Sequence, residues 1–84
     1  MNSSVTRSFR ELFRELPVEV QNAAGKTYAL WVTNPRHPSL HFKKVRGYWS
    51  VRIGRDFRAL GLLKGDCIYW FWIGHHKKYD HLIG

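Results

Sequence analysis

One cysteine, one methionine and only six acidic residues stand against fourteen Lys and Arg in this chain of 84 residues. The lone Cys67 has no partner for an internal disulfide and excludes a cysteine-based metal site, so a reducing cytoplasm is the expected compartment. With acid this scarce, the formal charge is +8 and the pI near 10.2. Such a surplus favours nucleic acid, an anionic membrane or an acidic protein, without choosing among them. Long apolar runs are also missing. The longest, Cys67 to Gly74, is far short of the roughly 20 residues of a membrane span, and Met1 to Arg7 has no apolar signal core, so no membrane is expected. Internal repeats, low-complexity tracts and linkers are absent, and a chain this short is expected to be one domain spanning 1–84.

What the chain does have is apolar bulk, at 44% with 15% aromatic, which is too much for a disordered polymer even at this charge. The charge is also uneven. Residues 1–34 carry four basic and three acidic groups (+1), residues 35–84 carry ten and three (+7), and all five histidines lie in the second part. A polyanionic partner is therefore expected to meet the second half.

Phe9, Leu12, Phe13 and Leu16 recur at i, i+3, i+4 and i+7, one face of a short amphipathic helix. Pro17 stops that helix and suits the first turn of another, predicted from Pro17 to Val32 and burying Val20, Ala24, Tyr28 and Trp31. Two prolines and an asparagine between Thr33 and Pro38 suit only a loop. The period then changes from 3.6 to 2. Strands are predicted over Leu40–Val45, Tyr48–Ile53, Phe57–Leu63 and Cys67–Ile73, with Trp49, Val51 and Ile53 on one face and Tyr48, Ser50 and Arg52 on the other. The unbroken apolar run of the last strand reads as buried on both faces. Short turns at Gly47, Gly54-Arg55-Asp56 and Lys64-Gly65-Asp66 imply an antiparallel meander. The expected fold class is α+β, an N-terminal helical hairpin packed on a four-stranded antiparallel sheet whose other face stays partly open.

Arg52 and Arg58 lie on strands joined by a tight turn, and a hairpin register could set both on the open face, where two guanidiniums would hold a phosphate. Either could instead pair with Asp56 or solvate an edge. Lys43, Lys44 and Arg46, with Tyr48 beside them and Lys77 and Lys78 near the C-terminus, form a candidate footprint for single-stranded RNA, basic side chains for the backbone and an aromatic for stacking. His75, His76, Tyr79 and His81 follow the apolar strand. His-His-x4-His with Asp80 nearby matches no metal-ligand spacing, so no metal site and no cofactor are expected, whereas acid–base work needs only one or two groups titrating near neutrality.

Two helices, then Lys44-Val-Arg-Gly47, Trp49-Ser-Val-Arg52-Ile-Gly54, Phe57-Arg58-Ala-Leu-Gly61 and Trp72-Ile-Gly-His-His-x-x-Tyr79-Asp80, together resemble the RelE/ParE superfamily of toxin–antitoxin toxins over nearly the whole chain. The resemblance implies a type II toxin whose RelE-like members cut mRNA in the ribosomal A site, whose ParE-like members inhibit DNA gyrase, and whose antitoxins cover the active surface. Carried onto this chain, it implies a metal-independent endoribonuclease acting on mRNA and the ribosome, with His76 as acid–base group, His75 or Tyr79 assisting, and Arg52 and Arg58 on the phosphate. It departs from the best-known RelE members in having His76 where they have arginine and Ser50 where they have lysine. The expected protein partner is a cognate acidic antitoxin, giving a hetero-oligomer; gyrase inhibition without catalysis is the alternative.

Overall fold

The computed structural model describes residues 2–84. Strand β1 (Asn2–Val5) leads into helices α1 (Arg7–Arg14) and α2 (Val18–Thr33), then a single 3-10 turn at Pro38–Leu40. Strands β2 (Lys43–Val45), β3 (Tyr48–Ile53), β4 (Phe57–Lys64) and β5 (Cys67–His75) follow, and helix α3 (His76–Ile83) closes the chain. The fold is α+β. Its one sheet has the order β1-β5-β4-β3-β2, with β1 parallel to β5 and the other neighbours antiparallel.

The sheet is therefore five-stranded and mixed, where the period-2 pattern predicts four antiparallel strands. The extra strand has no alternation to read, because Asn2-Ser-Ser-Val5 is mostly polar and mostly exposed. It joins through its backbone: the Asn2 N–H donates to the Asp66 carbonyl at 3.0 Å and the Thr6 N–H to the Trp70 carbonyl at 2.9 Å.

Thr6 then caps α1, its side-chain oxygen accepting the Phe9 N–H at 3.2 Å, which satisfies one of the unpaired donors of the first turn. Phe9, Phe13 and Leu16 turn to the core while Leu12 stays largely exposed. At the other end of α1 the Gln21 side-chain amide donates to the carbonyls of Phe13 (3.0 Å) and Leu16 (3.1 Å), and so fixes the turn into α2. In α2, Trp31 is 3% exposed and Ala24 packs on the core as the spacing predicts. Tyr28, expected inside, is 47% exposed, because its hydroxyl reaches out to the Ser3 hydroxyl on β1 at 2.7 Å.

On the helix side of the sheet Val51, Ile53, Ala59, Ile68, Trp70 and Ile73 form the core with Trp31 and Leu40. A register shift sets Leu60 opposite Trp72 but Gly61 opposite Trp70, so Phe71 is the extra residue of a bulge. Phe71 meets Tyr48 (ring centroids 5.3 Å apart) and Trp72 meets Tyr79 (6.4 Å). β5 is thus not closed on both faces: Tyr69 remains exposed.

The segment after His75 is helical. α3 folds back onto β4 and β5 and buries Tyr79. Gly74 permits this fit, since a Cβ there would stand 2.6 Å from Cζ2 of Trp72, whose indole lies across the backbone. Among the described residues, no helix is long and apolar enough to cross a membrane.

Candidate active site

Strand register builds the site. Arg52 on β3 and Arg58 on β4 are direct cross-strand partners, and Lys43 on β2 is the partner of Ser50 on β3. Alternation sends Ser50 and Arg52 to the side opposite the core residues Val51 and Ile53. There they line a cleft of about 240 Å³ together with His41, Lys43, Arg58, His76, Tyr79 and Asp80.

The two arginines are held by carbonyls rather than acids. Arg52 Nε donates to the Gly54 carbonyl at 3.0 Å, and one terminal nitrogen of Arg58 donates to the carbonyls of Phe57 (2.8 Å) and Arg55 (3.3 Å). Among the described residues neither guanidinium has a carboxylate within ion-pair distance; the carboxylates that do have a basic neighbour are Glu11, beside Arg7, and Asp80, beside His76. Pairing of either arginine with Asp56 is therefore not what the fold forms. Two like charges directly opposite one another in a sheet are mutually unfavourable, so this pair gains from an anion placed between them.

His76 is the first residue of α3, where its backbone N–H donates to the Asp56 carbonyl at 2.7 Å. Its Nδ1 stands 3.8 Å from Asp80 Oδ2 one turn on, beyond hydrogen-bond distance. Tyr79 lines the cleft with its ring against Trp72.

Of the site residues predicted from sequence, the fold brings together Arg52, Arg58, His76 and Tyr79, with Lys43 at the cleft wall. His75 stands behind them. Its Nδ1 accepts the Lys77 N–H at 3.2 Å as the cap of α3, and its ring packs edge-on to Phe57 and against His76. Lys44 and Tyr48 are exposed on β2 and β3, Arg46 lies at the left-handed turn before Gly47, and Lys77 and Lys78 are exposed on α3; none of these lines the cleft.

Sequence reading missed two residues that line the cleft, His41 and Asp80, and one that stands outside it, Asp56. His41 reaches the cleft because the Pro38–Leu40 turn ends in a left-handed residue (φ 45°), and an isolated histidine between Leu40 and Phe42 was its only signal. Asp80 carried no role until helical spacing set it against His76. Asp56, distant in sequence, brings a carboxylate to His75 and His76, with one ligand-capable atom from each of the three within 4.8 Å of the others.

A model of the ParE-like toxin domain matches residues 18–81, 64 of the 84. The chain belongs to the ParE-like toxin domain family, within the RelE/ParE superfamily. A search of curated protein sequences finds no significant match. Among solved structures, this ParE-like chain is similar to the RelB–RelE antitoxin–toxin complex of Methanococcus jannaschii, at TM-score 0.72 and 17% identity over 95% of this chain and 98% of that one. It is also similar to YafQ of Escherichia coli (TM-score 0.70, 14% identity, 99% and 98% covered) and to a YoeB/ParE toxin of Agrobacterium tumefaciens (0.69, 15%, 90% and 99%). At such identities the likeness is one of fold. The match to YafQ, over 99% of this chain, nonetheless takes in β1 and α1, which precede the region that the family model matches.

Proposed function

We propose that this ParE-like chain is the toxin of a type II toxin–antitoxin pair and a metal-independent endoribonuclease that cuts mRNA on the ribosome and so arrests translation in the cytoplasm. The observation that carries this reading is the facing pair Arg52 and Arg58, free of carboxylates, in one cleft with His76 and Asp80. A binding surface has no need of an imidazole backed by a carboxylate; a proton transfer has.

In the chemistry this arrangement supports, RNA supplies its own nucleophile. A base removes the proton of a 2′-hydroxyl, the 2′-oxygen bonds to the adjacent phosphorus, and the bond to the 5′-oxygen breaks as that oxygen takes a proton. His76 serves these proton transfers, its charge balanced by Asp80. Arg52 and Arg58 stabilise the negative charge that builds on the phosphoryl oxygens. Lys43 holds the backbone at the cleft wall, and Lys44, Arg46, Tyr48, Lys77 and Lys78 extend the footprint outward.

The partner proposed is a cognate acidic antitoxin lying over the basic half, with charge complementarity speeding its association. The similar Methanococcus jannaschii protein was solved as an antitoxin–toxin complex. A second reading, a gyrase inhibitor that binds without cutting, is favoured by the ParE-like description of the family model. Brief induction in cells separates the two. New RNA 5′ ends with normal plasmid supercoiling are expected; growth arrest with failing supercoiling and no new ends would sink the nuclease reading.

A further inference from the structure

Asp56, His75 and His76 form a grouping that the proposed cleavage does not use as a unit. Asp56 belongs to the turn between β3 and β4, and the histidines to the junction of β5 and α3. The Asp56 carbonyl accepts the His76 N–H at 2.7 Å, which ties the turn to the start of the helix and holds the carboxylate beside both rings. The rings are 4.5 Å apart and inclined by 32°, and one ligand-capable atom from each of the three side chains lies within 4.8 Å of the others. We propose that these three side chains are a binding site for a zinc-class divalent cation, and that occupancy switches the toxin off.

The donor set selects the metal. Two imidazoles and one carboxylate suit Zn²⁺ and its neighbours Ni²⁺ and Cu²⁺, whereas Mg²⁺ and Ca²⁺ take oxygen donors. Ligands around tetrahedral zinc at about 2.0–2.1 Å lie roughly 3.3 Å from one another, so a triangle with edges within 4.8 Å tightens by at most about 1.5 Å. That adjustment is open to it, because Asp56 is exposed and both histidines are only half-buried. Asp80, 3.8 Å from His76 Nδ1, is placed to orient that ring with its other nitrogen toward the ion, as carboxylates behind metal-bound histidines do.

Binding has a structural consequence. His75 Nδ1 accepts the Lys77 N–H, so neutral His75 carries its proton on Nε2. Coordination through Nδ1 takes that lone pair from the cap, and coordination through Nε2 sends the proton to Nδ1; either route gives up the capping bond at the start of α3. The nearby Arg55 and Arg58 oppose a dication, so the affinity is expected to be micromolar rather than that of a structural zinc site. The inhibitory half of the proposal rests on the nuclease reading, since a His76 that holds zinc no longer moves protons; the binding half does not.

The test uses tag-free toxin titrated with ZnCl₂ in a calorimeter. One zinc per chain is expected, weakened at least about tenfold by Asp56→Asn, unchanged by His81→Ala and His41→Ala, and not reproduced by MgCl₂. In RNA cleavage, zinc should inhibit the wild type, while Asp56→Asn should cut normally without metal and resist zinc. Zinc affinity indifferent to Asp56→Asn, or lost with His81→Ala, overturns the site. Inhibition persisting in Asp56→Asn overturns the switch. A toxin that binds zinc as described but never cuts RNA refutes the nuclease reading and leaves the site standing.

Discussion

Replacing Arg52 by glutamine is expected to make the protein more stable and less active. Arg52 and Arg58 are direct partners across β3 and β4, and neither meets a carboxylate among the described residues. Like charges opposite each other in a sheet cost about 0.2–1 kcal/mol. Arg52→Gln relieves that cost and loses one bond, Nε to the Gly54 carbonyl at 3.0 Å, worth about 0.5 kcal/mol where solvent competes for both groups. The net gain is then up to about 0.5 kcal/mol, or about 2–4 °C in Tm for a domain of this size. Thermal unfolding at low salt measures it. The gain should disappear near 1 M salt, where the screening length falls to about 3 Å and the repulsion is gone without any mutation. RNA cleavage should fall in the same variant, together with RNA affinity and its salt dependence. A variant that melts several degrees lower at low salt and still binds RNA as the wild type does would show that Arg52 is held for its bond to the turn, and would refute the claim that the pair awaits a phosphate.

His76→Ala should cut RNA about 10²- to 10⁴-fold more slowly with binding nearly intact, while His81→Ala, outside the cleft, should match the wild type; wild-type growth arrest by His76→Ala at equal expression would remove the acid–base role. Gly74→Ala should force the Trp72 indole off the backbone and loosen its contact with Tyr79, costing about 1–3 kcal/mol in urea unfolding and impairing cleavage; unchanged stability would mean that the indole moves freely. Cleavage of naked RNA should proceed undiminished in EDTA, and activity lost on chelation and restored by Mn²⁺ would overturn the metal-free mechanism.

Much of this fold was legible because its core obeys simple periods. Trp31 at helical spacing and Val51 and Ile53 at strand spacing are buried as their positions predict. β1 was not legible, since a parallel edge strand held by backbone bonds needs no apolar alternation. Nor was α3. Its contacts, His76 to Asp80 four residues on and Tyr79 back onto Trp72 of β5, form only once Gly74 lets the chain fold back over the sheet.

The residues that assemble the cleft are the ones that break local rules. Arg52 faces Arg58, Ser50 is buried at 3% exposure between its strand partners Lys43 and Leu60, and His41 takes a left-handed conformation that costs a side chain energy. Each exception is unfavourable alone, and the three meet in one pocket with His76. Strand pairing explains why the arginines could be anticipated from sequence and the others could not. A tight turn forces residues six apart into opposition, whereas the positions of His41 and Asp56 depend on where a 3-10 turn ends and where a helix begins, boundaries that apolar periodicity does not mark. The same dependence makes the site easy to disturb from a distance: whatever shifts the Asp56 carbonyl moves the first residue of α3, and with it the imidazole on which the proposed reaction turns.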